Sequence, residues 1–294
     1  MIFGAIDIGT NAARLLIGEV ADTSPYKEVK KISYTRIPLR LGMDVFESGR
    51  ISDSKKEEFL KTLQAFKLIS EVFHVDRLRV CATSAMREAS NGVDVKKEIK
   101  RTLNLEVEVI TGAEEASLIF ESFFAASKVR TKPFIVADLG GGSLEVSVFE
   151  KGKKIESKSF NVGTIRMLKG MVKNSHWKEM NTWLKANTKS LKNYDLFATG
   201  GNVNKMHKVF GLKHMEPLQV KELKKFHSDL KKLSVDERIH KYDLKEDRAD
   251  VIEPACDVYL RLCKTLKISS IIVPKIGLSD GIILDLYNKS KKKK

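Results

Sequence analysis

Two short stretches of the chain join a carboxylate to a glycine-bearing turn. In Asp138-Leu139-Gly140-Gly141-Gly142-Ser143-Leu144-Glu145 an acidic residue closes an apolar run, and the glycines and a serine follow it. Asp7-Ile8-Gly9-Thr10-Asn11 repeats the plan near the N-terminus. Glycine lets main chain approach a ligand closely and takes positive φ at little cost, and successive turn amides make a concavity for anions. A carboxylate beside such a concavity repels phosphate unless a cation sits between them, and Mg2+ characteristically takes one or two carboxylates together with phosphate oxygens. These residue types at this spacing therefore point to metal-assisted phosphate binding. Asp7, Asp138 and Glu145 are the metal-side carboxylates; Gly9, Thr10, Asn11, Gly140, Gly141, Gly142 and Ser143 are the phosphate side. Glu145 stands two residues past the turn on a strand, so its side chain faces either the site or the opposite side. A third turn of this kind is Thr199-Gly200-Gly201-Asn202. None of the three fits the P-loop or the G-x-G-x-x-G dinucleotide fingerprint.

Phosphoanhydride hydrolysis needs an activated water, charge neutralisation and in-line geometry. Glu115 is the candidate base: it starts a helix, and phosphate charge beside it would raise its affinity for a proton toward neutral pH. The alternative is that Glu114 and Glu115 complement the helix dipole. Arg87 is the candidate phosphate clamp, because guanidinium contacts phosphate in bidentate fashion; its alternative is a surface ion pair. The histidines, at 74, 176, 207, 214, 227 and 240, form neither a metal-ligand spacing nor a nucleophile–base signature.

The elements that must position these residues read as α/β. Aligning Asp7 with Asp138 puts a phenylalanine four residues earlier and a glycine two later in both, so one plan is used twice, 131 residues apart. The first copy reads as strands up to residue 8, from 14 to 18 and over 28–41, then a loop between Gly42 and Gly49. A helix over 55–73 follows, capped by Ser52 or Asp53, with Phe59, Leu63, Phe66, Ile69 and Phe73 at helical spacing. A strand over 78–82, a helix over 93–103, a strand over 105–110 and a helix over 113–127 complete it. The basic, proline-bearing segment 128–133 marks the boundary, giving lobes of 1–127 and 128–294. The second copy has strands over 134–138, 144–149 and 154–160, helices over 164–172 and 176–191, and a strand over 196–198. Further helices and a strand over 269–273 precede a last helix near Gly281. Strands ahead of helices in each half imply α/β architecture.

The chain of 294 residues carries a formal net charge of +15, a field that favours polyanions: nucleic acid is one candidate, polyphosphate or a highly phosphorylated nucleotide another. The lysine-rich end, 289–294, reads as a solvated tail. No apolar run reaches membrane-spanning length, and no leader is expected at the N-terminus. Cys81, Cys256 and Cys263 lack metal-ligand spacing; Cys256 and Cys263, seven apart on a helix, read as buried rather than bridged, which fits a reduced, cytoplasmic compartment.

With these motifs in order, the chain resembles the exopolyphosphatase / guanosine pentaphosphate phosphohydrolase family of the actin-like ATPase superfamily. The matching stretches are Ala5–Asn11 with Arg14-Leu15, Ala82–Arg87, Ile110–Ala116, Asp138–Glu145, Thr199–Gly201, Arg248–Ile252 and Leu278–Gly281. The resemblance implies two ribonuclease-H-like lobes with a phosphate-binding cleft between them, and Mg2+-dependent release of terminal orthophosphate from polyphosphate. The alternative substrate is guanosine pentaphosphate. It implies Glu115 as catalytic glutamate, Arg87 as phosphate-binding arginine, Asp138 as metal-linked aspartate and 140–143 as phosphate loop. Asp7, Gly9, Thr10 and Asn11 take the first loop, Arg14 just beyond it is a further phosphate-binding residue, and a homodimer is a common assembly. Two departures stand out: Thr10-Asn11-Ala12 replaces a Ser-Asn-Ser run, removing one hydroxyl, and the C-terminal helical extension of longer members is missing, which favours shorter chains or nucleotides. Neither a helix-turn-helix nor an RNP-type motif is present, so no specific nucleic acid is expected. Competing classes are a kinase of the same superfamily and a catalytically weak polyphosphate or nucleotide sensor.

Overall fold

The computed structural model describes residues 1–23, 26–126 and 132–291. The chain divides into two compact units, Met1–Lys128 with Ile276–Lys294, and Val129–Lys275.

In the first unit β1 (Phe3–Ile8), β2 (Ala13–Thr23) and β3 (Tyr26–Ile37) form an antiparallel meander. Then come α1 (Leu41–Ser48), α2 (Asp53–Val72), β4 (Arg77–Ala82), α3 (Ser84–Glu88), α4 (Gly92–Leu103), β5 (Val107–Val109) and α5 (Gly112–Ala126). The sheet runs β3-β2-β1-β4-β5, with β4 parallel to both β1 and β5. All six residues of β1 are buried, as expected of a central strand covered on both faces. The Ser52 hydroxyl accepts from the Lys55 amide at 3.2 Å and caps α2. Phe59, Leu63 and Phe66 fill the core from α2, while Ile69 and Phe73 of the expected stripe are only half-buried.

The segment read as a loop between Gly42 and Gly49 is instead helix α1. Gly42 lies inside its first turn, and Gly49, at φ 77°, closes it by donating its N–H to the Val45 carbonyl. Burial of Leu41, Val45 and Phe46 drives this short helix, a tertiary gain that eight residues with a glycine in the first turn and another just past the end do not reveal.

The second unit repeats the order: β6 (Phe134–Leu139), β7 (Leu144–Glu150), β8 (Lys153–Phe160), α6 (Thr164–Leu168), α7 (Asn174–Thr188), β9 (Asp195–Thr199) and α8 (Gly201–Val209). There follow β10 (Leu218–Gln219), α9 (Val220–Leu230), α10 (Val235–Tyr242), α11 (Glu246–Ala249), α12 (Ile252–Leu266) and β11 (Ser270–Ile271). The sheet order β8-β7-β6-β9 and its directions match β3-β2-β1-β4. Each unit is thus the ribonuclease-H-like lobe that the resemblance implies. The strand expected over 269–273 is shorter, because β11 pairs with β10 and only Ile272 bridges to Phe197 of β9.

The last helix, α13 (Leu278–Lys291), belongs to the first unit rather than to a lobe of 128–294. Its Leu278, Ile282, Ile283 and Tyr287 join Phe3, Ala5, Leu16, Leu118 and Ile119 in one core. The fit depends on Gly281: a Cβ there would meet the Leu118 carbonyl oxygen at 2.1 Å, whereas one at Gly277 would meet nothing within 4 Å. Gly281→Ala should therefore cost about 3 kcal/mol by overpacking and Gly277→Ala within roughly 0.5 kcal/mol of nothing, both read by urea denaturation. Equal midpoints would refute the packing of α13 on α5.

Candidate metal and phosphate site

In the second unit the site is built on the β6–β7 hairpin. Asp138 and Glu145 are register partners across the two antiparallel strands. Directly opposed residues project from the same face of a sheet, which answers the question of where Glu145 points. The two carboxylates offer ligand atoms within 4.8 Å of one another. Asp138 accepts from the Thr199 hydroxyl at 2.5 Å, and Glu145 from the Ser159 hydroxyl at 2.7 Å. A pair of buried or half-buried carboxylates supplying hard oxygen donors fits a divalent cation.

Between the two carboxylates lies the turn 140–143. Its first bond runs from the Gly140 amide to the Ser143 carbonyl at 3.0 Å. The Gly140 carbonyl accepts from the Thr164 amide at 3.1 Å, and the Gly141 carbonyl from the amides of Ile165 and Arg166 at 2.8 and 3.2 Å. The Gly142 carbonyl accepts from Arg166 Nε at 2.8 Å. In a trans peptide the N–H points opposite to the C=O. With three successive carbonyls drawn toward α6, the amides of Gly141, Gly142 and Ser143 point away from it, which is the geometry of an anion nest. The backbone freedom expected of Gly140, like that of Gly9, is not used, because neither has a positive φ. The glycine that the turn demands is Gly163, where a Cβ would lie 2.3 Å from the Gly142 carbonyl carbon. Gly200, at φ 107°, is held by the same kind of approach to the Leu139 carbonyl oxygen.

Sequence reasoning missed Gly163 and Arg166. Arg166 is 5% exposed, on a helix of five residues; a lone arginine in a short helix carries no pattern that marks it. Arg248, part of the matching stretches above, donates to the Asn202 side chain at 3.1 Å beside Gly201. Tyr259 of α12 donates to the Thr199 carbonyl at 3.0 Å and so braces the residue that holds Asp138.

In the first unit the equivalent hairpin carries Asp7 opposite Arg14. They form an ion pair at 2.8 Å. Burial holds the Asp7 carboxyl above its ordinary value of 3.8, partly offset by the Arg14 guanidinium. Asp7 and Arg14, expected on metal and phosphate respectively, are thus engaged with each other. The turn repeats the hydrogen bond of its counterpart, from the Gly9 amide to the Ala12 carbonyl at 3.1 Å. The carbonyls of Thr10 and Asn11 accept from the amides of Gly42 and Arg40 at 2.9 and 3.0 Å, so the Asn11 and Ala12 amides point the other way.

Glu115 is buried in the first turn of α5, which Thr111 opens by accepting from the Glu114 amide at 3.1 Å. Glu114 pairs with Arg79 at 3.0 Å, and Arg79 also grips Glu108 at 2.6 Å and Asp285 at 2.9 Å. Arg87 is exposed at the end of α3 and donates to the Ile110 carbonyl at 2.7 Å, immediately before the Thr111 turn.

A family model described as the Ppx/GppA phosphatase family matches residues 19–290. "Exopolyphosphatase 2" of Mycobacterium tuberculosis is 32% identical over 173 residues, covering 55% of this chain and 52% of that protein. The "Guanosine-5'-triphosphate,3'-diphosphate pyrophosphatase" of Aeromonas hydrophila is 27% identical over 57% of this chain and 33% of its own length. The matches thus span about half or less of these relatives. The crystal structure of an exopolyphosphatase from Cytophaga hutchinsonii superposes with a TM-score of 0.85 at 22% identity, covering 98% of both chains, and shares the fold.

Two outcomes follow from this geometry. Arg166→Met leaves the Gly142 carbonyl without its guanidinium partner and should cost about 1–3 kcal/mol, read by urea denaturation; an unchanged midpoint would refute the anchoring role. For Asp7, the folded state binds a proton more readily than the unfolded chain. Its contribution to stability is complete below 3.8 and is lost as pH rises through the raised folded value. The wild-type unfolding free energy minus that of Asp7→Asn, measured without divalent cation, should therefore fall with rising pH across that window. A rise would show the Arg14 attraction to dominate.

Proposed function

The chain belongs to the Ppx/GppA phosphatase family, and from that premise we propose that it is a Mg2+-dependent hydrolase releasing terminal orthophosphate from inorganic polyphosphate. The observation that carries this reading is the opposed pair Asp138–Glu145 at the mouth of a turn whose amides face outward. An anion nest flanked by two carboxylates suits a phosphate only when a cation joins them.

In this reading the amides of Gly141, Gly142 and Ser143 hold the oxygens of the substrate, and Asp138 and Glu145 hold Mg2+. When bound, Mg2+ supplies charge neutralisation at the phosphoanhydride. Gly9, Thr10, Asn11 and the Asp7–Arg14 pair form a second phosphate-facing turn. Arg87 clamps phosphate oxygens. Glu115 takes the proton of a water as its oxygen bonds to the terminal phosphorus; the bridging P–O bond breaks and the shortened chain leaves with the oxygen. The buried thiols of Cys81 and Cys263, pushed up to about 12, stay protonated at neutral pH and take no nucleophilic role.

A second reading, removal of the 5′ terminal phosphate of guanosine pentaphosphate, draws support from the Aeromonas relative. We place the protein in the cytoplasm on its unbridged, buried cysteines; no described helix is long and apolar enough to cross a membrane. A homodimer and the absence of a specific nucleic-acid partner belong to the same proposal.

Orthophosphate release from medium-chain polyphosphate with Mg2+ tests it. Glu115→Gln should lower the rate by about 10²–10⁴-fold with polyphosphate binding retained, and chelation of the metal should abolish release. Turnover of guanosine pentaphosphate alone selects the second reading. Binding without release from any substrate would leave a sensor rather than an enzyme.

A further inference from the structure

Helix α9 and the turn after it carry a one-sided positive charge. Lys221, Lys224, Lys225, Lys231 and Lys232 are all exposed. Leu223, Phe226, His227 and Leu230 are buried. At 3.6 residues per turn the five lysines fall within an arc of about 120°, opposite the buried four, and their stripe runs about 16 Å along the axis. Lys231 keeps right-handed helical angles, so the stripe continues past the helix end.

These lysines differ from those of α2 in how they are compensated. On α2, Lys55 pairs with Glu58 at 2.6 Å, Lys61 with Glu57 at 2.7 Å, and Lys56 with Glu98 at 3.1 Å. Among the described residues, none of the five lysines along α9 forms an ion pair. The nearby acid Asp229 is hydrogen-bonded by Lys241 at 2.5 Å and by Tyr242 and feels the Lys232 charge without pairing with it, and Glu222 lies exposed on the flank. Like charges spaced three and four apart on a helix destabilise it, so the bare protein retains a repulsion that a bound polyanion relieves.

We propose that this lysine stripe is an auxiliary binding surface for the distal part of a polyphosphate chain, resting on the function proposed above. The chemistry of the stripe selects this polyanion over nucleic acid. Single-stranded nucleic acid is held by aromatic side chains that stack on bases together with charge, and the exposed stripe carries no aromatic side chain. The exposed stripe offers lysines and Ser228 alone. An inorganic chain presents charge and nothing else, and flexible ammonium groups match it. A segmental grip of this kind raises the affinity of long chains over short ones and leaves the chemistry at the terminal phosphate unchanged.

The test replaces all five lysines by glutamine, which has nearly the same helix propensity, with circular dichroism to verify the fold. Binding of long-chain polyphosphate and of tripolyphosphate is measured against salt, in a Glu115→Gln background so that no chain is consumed. The stripe variant should bind long chains at least ten-fold more weakly at low salt, with the slope of log affinity against log salt shallower by roughly three. Tripolyphosphate binding should be unchanged, and so should tripolyphosphate turnover when Glu115 is intact. Unchanged long-chain affinity, or an equal loss for tripolyphosphate, would overturn the proposal. Displacement of polyphosphate from the stripe by single-stranded RNA of equal charge, at equal concentration, would also overturn it. Failure of the unsubstituted protein to hydrolyse any chain would instead refute the proposed function, and the binding comparison would still decide the stripe.

Discussion

The arrangement on which the second unit depends is two carboxylates, Asp138 and Glu145, set opposite each other on adjacent antiparallel strands. Like charges in directly opposed positions destabilise a sheet, so something must compensate. Part of the compensation is visible as hydroxyl donors, Thr199 on Asp138 and Ser159 on Glu145. The rest suits a divalent cation, which converts the repulsion into a ligand set. At the equivalent register in the first unit, Asp7 faces Arg14, and the pair neutralises itself. One plan has thus diverged by a single change of charge sign into an acid–acid site and an acid–base pair.

The turn beside the acidic pair is held from behind. Three carbonyls are drawn to α6, and the packing of Gly163 against Gly142 leaves no room for a side chain. Tyr259 carries the restraint from α12 through Thr199 to Asp138. Orientation of amides is therefore a property of a second layer, and the motif residues are its product. This is why a turn of small residues can present a fixed row of donors without relying on glycine's positive φ.

In the first unit the equivalent role falls to Arg79. Its guanidinium, 8% exposed, links β4 to β5 through Glu108, to α5 through Glu114 and to α13 through Asp285. Arg79 is the buried member and its carboxylate partners reach toward solvent, so losing them would leave the buried guanidinium uncompensated, which is costly. The bond to Glu114 fixes the turn of α5 that carries Glu115, and the bond to Asp285 ties that turn to a helix from the far end of the chain. A residue with no part in the motifs thus sets where the candidate base sits.

How much of this was legible beforehand follows from the range of the forces involved. The duplicated Asp-x-Gly hairpins, the α2 stripe of Phe59, Leu63 and Phe66, and the α/β order are local patterns, set by side-chain periodicity and turn chemistry within a few residues. The direction of Glu145 was open because a strand of period two needs its register, and only pairing with Asp138 supplies that. Helix α1 escaped because its stability comes from burying Leu41, Val45 and Phe46, while Gly42 and Gly49 read as loop signals. Assignment of α13 to the first unit, the bracing by Gly163 and Arg166, and the Arg79 cluster join residues far apart in the chain. By itself the sequence determined which residues could do phosphate chemistry and which elements carry them. The tertiary structure decided which carboxylates face each other, which way the turn amides point and which helix closes each core, because those depend on packing between segments that no local pattern encodes.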